Sequence, residues 1–470
     1  MNQASSTATT TIEPPVFLYE RHRKIYIRSV KGVFAKWRWA LVWITQAIFY
    51  GLCWLPWNDR QAVLLDLVER KFYIFGLVFW PQDVLYLAIL LIVAAYALFL
   101  FTAVGGRLFC GYACPQTVYT EIFMWIEEKI EGERNARIKL DQQPMNGRKL
   151  RIKATKHAAW IAVALWTGFT FACYFTPAHT LARDLVDFNL GPWQTFWIFF
   201  YAFATYGMAG FMREQVCKYM CPYARFQSVM VDPDTLIVTY DRSRGEPRGV
   251  RSKKVDAMAA KKGDCVDCNI CVQVCPTGID IRNGLQYECI GCSACIDGCD
   301  QVMDKLGYAR GLIRYSTENA MEKNFGRAEI IAHLIRPRIL VYSAILAVIT
   351  LAAAYSIAVR LPLRVDVIRD RGVFGREVEG GLIENVYTLR IMNTDEHPHR
   401  YRISVSGLTG ITLAGASDVQ VGPASTHSLV VSTRVPPEAG PKGSLPIRFD
   451  IEAEDNQAIR LTEKAAFLMP

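Results

Sequence analysis

Fourteen cysteines carry most of the chemistry this chain can offer, and they are clustered. Eight lie between Cys265 and Cys299, in "CVDCNICVQVCPTGIDIRNGLQYECIGCSACIDGC". Four more form two pairs, "CGYACP" at 110–115 and "CKYMCP" at 217–222, each closed by a proline. Cys53 and Cys173 stand alone, and the last 171 residues contain none. Thiols separated by two or three residues have metal-ligand spacing and do not read as a disulfide framework. They imply a reducing compartment for the clustered region.

The run of eight reads C-x-x-C-x-x-C-x-x-x-C twice. In two-cluster bacterial ferredoxins, three closely spaced thiolates hold three irons of a cubane and the fourth comes from the other run. That rule assigns Cys265, Cys268, Cys271 and Cys299 to one [4Fe–4S] cluster, and Cys289, Cys292, Cys295 and Cys275 to the other. Zinc would need four ligands per site without the x-x-x-C ending. Pro276 follows Cys275, but Asp300 follows Cys299 where the ferredoxin pattern usually has proline.

In the pairs Cys110/Cys114 and Cys217/Cys221, residues four apart would share one helix face. If the preceding helices run through Cys114 and Cys221, the proline then ends or kinks each helix. It also leaves the carbonyls of Gly111 and Lys218 without their helical N–H. A helix C-terminus disfavours thiolates, and Arg107, Arg213 and Lys218 would offset this. Two thiols beside a free carbonyl suit a soft, low-coordinate ion, and Cu(I) prefers such ligands. The plain alternative is packing as small hydrophobes. Two copies at equivalent positions, both followed by proline, favour a copper or redox role. Cys53 and Cys173 read equally as an opposite-side counterpart or as buried packing.

These residues need elements to hold them. The 470-residue chain is 51% hydrophobic and only 21% charged, which fits a mixed membrane protein. Five apolar runs, 39–57, 84–106, 157–177, 193–212 and 339–358, are long enough to span about 30 Å of hydrocarbon. Lys and Arg number seven in 21–38, three in 58–83, ten in 107–156, one in 178–192 and nineteen in 213–338. The positive-inside rule then places the N-terminus and both CxxxCP motifs in the cytoplasm and the C-terminal region outside. The first four spans suggest a two-fold repeat, since spans two and four each end in an Arg followed by CxxxCP. Net charge is +9, concentrated beside the apolar runs, and no nucleic-acid motif accompanies it. The polar, Ser/Thr-rich start lacks the pattern of a signal peptide. His22, His157 and His333 stand near span starts and read as interfacial; no paired His for a membrane haem is evident.

Beyond the fifth span, "NVYTLRIM", "RYRISVSG", "HSLVVSTRV" and "SLPIRFDIEA" alternate apolar and polar residues between turn signals. This predicts a small β-sandwich without an inter-sheet disulfide. The expected organisation has seven parts. They are a cytoplasmic segment (1–38), a four-helix transmembrane region (39–240), a basic linker (241–262) and a two-cluster ferredoxin-like α+β domain (263–310). A connector (311–338), the fifth transmembrane helix (339–358) and a periplasmic immunoglobulin-like domain (361–470) follow.

The stretches "RHRKIYIRSVKG", "GRLFCGYACPQTVYTEIF" and "EQVCKYMCPYARFQSVM", with the paired cysteine runs and the β-rich end, resemble the CcoG family of cytochrome c oxidase accessory proteins, also called RdxA or FixG. The resemblance implies two [4Fe–4S] clusters on the eight cysteines and an inner-membrane location. It also implies reduction of Cu(II) to Cu(I) for assembly of cbb-type oxidase, with Cys110, Cys114, Cys217 and Cys221 as the copper site. Partners would be oxidase assembly factors, copper carriers and a cytoplasmic electron donor; a homodimer is compatible with the sequence. Two alternatives stand beside this reading: an electron conduit to a quinone, flavin or redox partner, and a non-enzymatic assembly scaffold.

Overall fold

The computed structural model describes residues 24–250, 262–370 and 375–470. His22 and half of the predicted basic linker, 251–261 of 241–262, lie outside the described residues. Among the described residues, ten α-helices lead up to the cysteine-rich segment: α1 Val33–Gly51, α2 Val84–Gly105, α3 Leu108–Tyr112, α4 Pro115–Glu131, α5 Arg134–Gln142, α6 Gly147–Cys173, α7 Ala178–Val186, α8 Pro192–Thr205, α9 Pro222–Met230 and the single turn α10 Arg242–Gly245. π-helical turns at Tyr206–Met212 and Val216–Met220 link α8 to α9.

Helices occupy all five predicted runs, with shifted bounds. Among the described residues, three are long and apolar enough to cross a membrane: Pro81–Gly105, Pro192–Met212 and Pro337–Ala358. These associate the protein with a membrane. The expectation of five is corrected to three on this criterion. α1 starts early enough to include Lys36 and Arg38 and stops at Gly51, and the first half of α6 is basic through Lys156. α6 still packs tightly on α8. A Cβ at Gly168 would collide with the Ile198 carbonyl, so glycine is what lets these backbones meet.

Segment 58–83, with no element predicted from its sequence, folds into a three-stranded antiparallel sheet of Val63–Asp66, Lys71–Ile74 and Leu77–Phe79. Trp80 and Val78 from this sheet share a buried cluster with Met392 of the C-terminal domain. That domain is the predicted sandwich. One sheet is built on Leu382–Asn393 paired with Thr426–Val435 and Leu363–Arg369; the other pairs His399–Ser406, Gly443–Ala453 and Arg460–Met469. Tyr387, Leu389, Ile391, Phe449 and Phe467 are fully buried between them, and the Tyr387 hydroxyl donates to the Ala466 carbonyl at 2.8 Å.

The cysteine-rich segment has two helices that concern its thiols, Ile270–Gln273 and Ala294–Leu306. An antiparallel ribbon of Ile237–Tyr240 with Ile313–Ser316 closes it. Both strands lie outside the expected 263–310 bounds. Val238, Tyr240, Leu312 and Ile313 are buried with Cys265 and Cys271, so the ribbon supplies the apolar wall that the segment lacks alone.

Candidate redox centre

The two cysteine runs share one backbone recipe. In Cys265–Cys271, Asp267 (φ 53) and Asn269 (φ 56) take left-handed conformations on either side of Cys268. In Cys289–Cys295, Gly291 (φ 67) and Ser293 (φ 60) do the same around Cys292. Such residues are uncommon outside turns. Alternating left- and right-handed residues turn successive N–H groups inward, making a concave nest for an anionic group.

Each run lines its own cavity. Cys265, Cys268, Cys271 and Cys299 surround one, with Tyr240 and Met303. Cys275, Cys289, Cys292 and Cys295 surround the other, with Thr277 and Ile281, and Cys271 also touches it. Thiolate donors, nests and apolar walls together fit iron–sulfur clusters. Burial pushes the thiols of Cys271 and Cys289 up to about 11, and those of Cys292 and Cys299 up to about 12. Asp300 explains itself here. It lies within the helix Ala294–Leu306, where a proline would break the ladder, and its carboxylate accepts the Gly311 N–H at 3.0 Å.

At the CxxxCP motifs the expected geometry is reversed. α2 has already ended at Gly105, and Gly106 turns the chain at φ 55. Cys110 sits on the short α3, while Cys114 is the extended N-cap of α4 with Pro115 in its first turn. The second copy repeats this. Arg213 turns at φ 40, Cys217 sits on a π-helical turn, and Cys221 is the N-cap of α9 before Pro222. Proline is pre-organised for the first helical position, so each Cys-Pro begins a helix instead of ending one. Cys114 and Cys221 therefore face the positive end of a helix dipole, which favours thiolate.

The four thiols lie close enough to repel one another when ionised. Burial, then the neighbouring thiols, pushes Cys110 up to about 11 and Cys217 up to about 12; the Arg107 guanidinium pulls against both. Burial also raises Cys114, opposed by the N–H groups of Thr117 and Gln116. Arg213 does not serve the thiols as expected. Its Nη2 lies 2.8 Å from Glu127, and its Nε donates to the Gly210 carbonyl. The Lys218 carbonyl left over by Pro222 accepts the Tyr287 hydroxyl.

This quartet abuts the second ferredoxin run. Cys110 and Cys217 pack against Val274, Ile290 and Cys292. A Cβ on Gly111 would come within 2.8 Å of the Gly291 backbone, so a glycine is needed where α3 meets the cluster loop. Among the described residues, no three Cys, His, Asp or Glu side chains stand close enough to share one metal ion. A cubane spreads its ligands wider than a single ion does, so the ferredoxin quartets satisfy the same statement. A single copper ion at the CxxxCP quartet would meet two thiols at most without movement.

Sequence reasoning missed three supporting residues. Asp297, from the helix Ala294–Leu306, accepts the Phe34 and Ala35 N–H groups at 3.2 and 2.7 Å, capping α1 from a distant element. Arg38 Nη1 donates to the Cys292 carbonyl at 2.8 Å. Buried Gln227 accepts the Cys110 thiol at 3.5 Å. Each is separated from its partner by more than a hundred residues, so no local signal could flag it. Away from this centre, Cys53 and Cys173 lie in one buried cluster with Phe169 and Leu181, and the Cys53 thiol donates to the Tyr50 carbonyl at 3.5 Å. His157 contacts the Tyr206 hydroxyl at 2.9 Å, and His333 stacks on Phe325.

Comparison with known proteins adds the family. Residues 212–318 match a 4Fe-4S dicluster domain, 87–132 a 4Fe-4S binding domain, and 353–470 the IG-like fold at the C-terminus of FixG. Nitrogen fixation protein FixG of Rhizobium meliloti is 40% identical over 427 residues, covering 84% of this chain and 82% of FixG. The chain belongs to the FixG/RdxA family. Protein RdxB of Cereibacter sphaeroides is 40% identical over 405 residues, covering 84% of this chain and 85% of RdxB. Protein RdxA of the same organism is 37% identical over 466 residues, covering 96% and 98%. This FixG/RdxA-type chain is an iron–sulfur protein of the oxidoreductase, electron-transfer kind. Its 87–132 match contains only two cysteines, Cys110 and Cys114.

Proposed function

We propose that the protein reduces Cu(II) to Cu(I) at the membrane surface for assembly of a cbb-type cytochrome c oxidase. The observation that carries this reading is the packing of Cys110 and Cys217 beside Cys292 of the second ferredoxin quartet, with Cys114 and Cys221 near enough to raise the Cys217 thiol by their charge. When bound, [4Fe–4S] clusters supply one-electron storage at low potential. Copper is the substrate: Cu(II) gains one electron, and soft sulfur holds the resulting Cu(I). The N-cap positions of Cys114 and Cys221 and the charge of Arg107 lower the cost of presenting thiolates to it. The three long apolar helices cross the membrane, with both CxxxCP motifs and the ferredoxin segment cytoplasmic and the sandwich periplasmic. Copper carriers, oxidase assembly factors and a cytoplasmic electron donor are the partners this role requires.

The 87–132 family match, holding only Cys110 and Cys114, favours a second reading in which the quartet binds a third iron–sulfur centre. Metal analysis of anaerobically purified protein separates the two. About eight irons per chain, four per cubane, with copper lost in Cys217→Ala/Cys221→Ala, supports the copper site. About twelve irons, falling to about eight in that variant, supports the third centre.

A further inference from the structure

A cavity of about 480 Å³ opens between α1, α4 and the second ferredoxin run, with both Cys217 and Cys292 in its wall. The inner side is polar. Arg38 and Glu121 face each other there, 3.5 Å apart, and Gln116 and Thr120 add hydrogen-bonding groups. The outer side is apolar, formed by Met124, Trp39 and Trp125, whose rings meet edge-on at 6.2 Å. Trp125 is exposed in its wall, and exposed Trp43 lies next to Trp39, their ring centroids 6.5 Å apart. Tryptophans gather at the membrane–water interface, where one end of the ring is apolar and the other wet.

We propose that this cavity binds the headgroup of a lipid quinone. A quinone ring is planar and apolar on its faces, and its carbonyl oxygens accept hydrogen bonds at its edges. Arg38, whose buried Nε lacks a hydrogen-bond partner, can donate to one carbonyl, and the Trp39–Trp125 wall flanks the ring. Gln116 and Thr120 already donate to the Met208, Arg213 and Gln116 carbonyls and hold the polar side in place. The isoprenoid tail leaves past the exposed tryptophans into lipid. A sugar or nucleotide would leave the apolar wall unused. A phospholipid headgroup would seek the exposed cations Arg28, Lys31 and Lys36 at the rim and not the inner Arg38–Glu121 pair. Cys292 in the wall makes an electron carrier the ligand class whose chemistry such a position serves. This inference goes beyond the copper reading and does not depend on it.

The test is calorimetric titration of decylubiquinone into the full, cluster-loaded chain in neutral detergent, with iron and copper measured on the same samples. Saturable binding is expected, weakened at least ten-fold in Met124→Trp, which fills the cavity, and in Glu121→Gln, which unbalances Arg38. Should Met124→Trp lose iron, Glu121→Gln decides alone. Absence of saturable binding, or unchanged binding in an iron-replete variant, overturns the proposal. So does full displacement by an equal mole fraction of phosphatidylglycerol, which would make this a lipid-headgroup site. Copper stoichiometry in Cys217→Ala/Cys221→Ala reports on the other reading separately.

Discussion

At the scale of single residues, the helices carrying the CxxxCP motifs rest on buried charges. The Glu127 side chain is 1% exposed and is shared by Arg213 at 2.8 Å, Arg137 at 3.4 Å and Lys156 at 3.8 Å. Removing one partner of a buried ion group leaves the others uncompensated. Glu127→Gln is therefore expected to cost about 3–5 kcal/mol, seen as a lower melting temperature in detergent. Asp141 gives the pH counterpart. Against burial, hydrogen bonds from Lys153, Lys24 and Tyr26 hold its carboxyl well below the usual carboxylate range. A depressed carboxylate stabilises the fold above its unfolded value of about 4, and that contribution disappears as pH falls through the folded value. Hydrogen-exchange protection near Tyr26 and in α5 should accordingly drop in acid, and Asp141→Asn should flatten that dependence. The twelve clustered cysteines were legible as metal-type ligands because their chemistry is written in local spacing. Arg213 was misjudged because its partner, Glu127, lies 86 residues away.

At the scale of elements, the apolar runs were legible because hydrocarbon demands length and the absence of charge, both visible in one dimension. The direction of the Cys-Pro steps was not. Proline is compatible with either end of a helix, and only the turns at Gly106 and Arg213 decide which side the helix lies on. The same turns make the repeat more convincing than its few identities do. Replacing Asn269 with valine should show how far the left-handed positions matter. A β-branched residue at φ 56 costs about 1–2 kcal/mol, and the iron retained per chain should fall selectively, with secondary structure unchanged by circular dichroism. Asp297→Ala removes the remote cap of α1 and should destabilise by about 1 kcal/mol, read as faster exchange of the Phe34 and Ala35 amides.

At the scale of the whole molecule, the C-terminal domain is clasped to the sheet ahead of α2. Asp83, 4% exposed, lies 2.7 Å from Arg360 and 2.5 Å from Arg364, and Glu396 lies 2.6 Å from Arg60. The alternating pattern of the sandwich was plain in the sequence. Its docking was not, because the contacts join residues from 277 to 336 positions apart and neither surface is unusual alone. Asp83→Ala should leave two cations facing an empty site and loosen the clasp, giving faster limited proteolysis between residues 359 and 364 without loss of iron.

That clasp has a mechanical reading. α2 runs unbroken for 22 residues, about 33 Å at 1.5 Å per residue, from just beyond Asp83 to the glycine bend before Cys110. The rod is pinned at both ends, by the clasp at Asp83 and by the Leu236 N–H on the Val104 carbonyl at 3.0 Å. The one continuous helix between the clasp and the turn ahead of Cys110 is therefore the shortest path by which a load on the sandwich would reach the sulfur quartet.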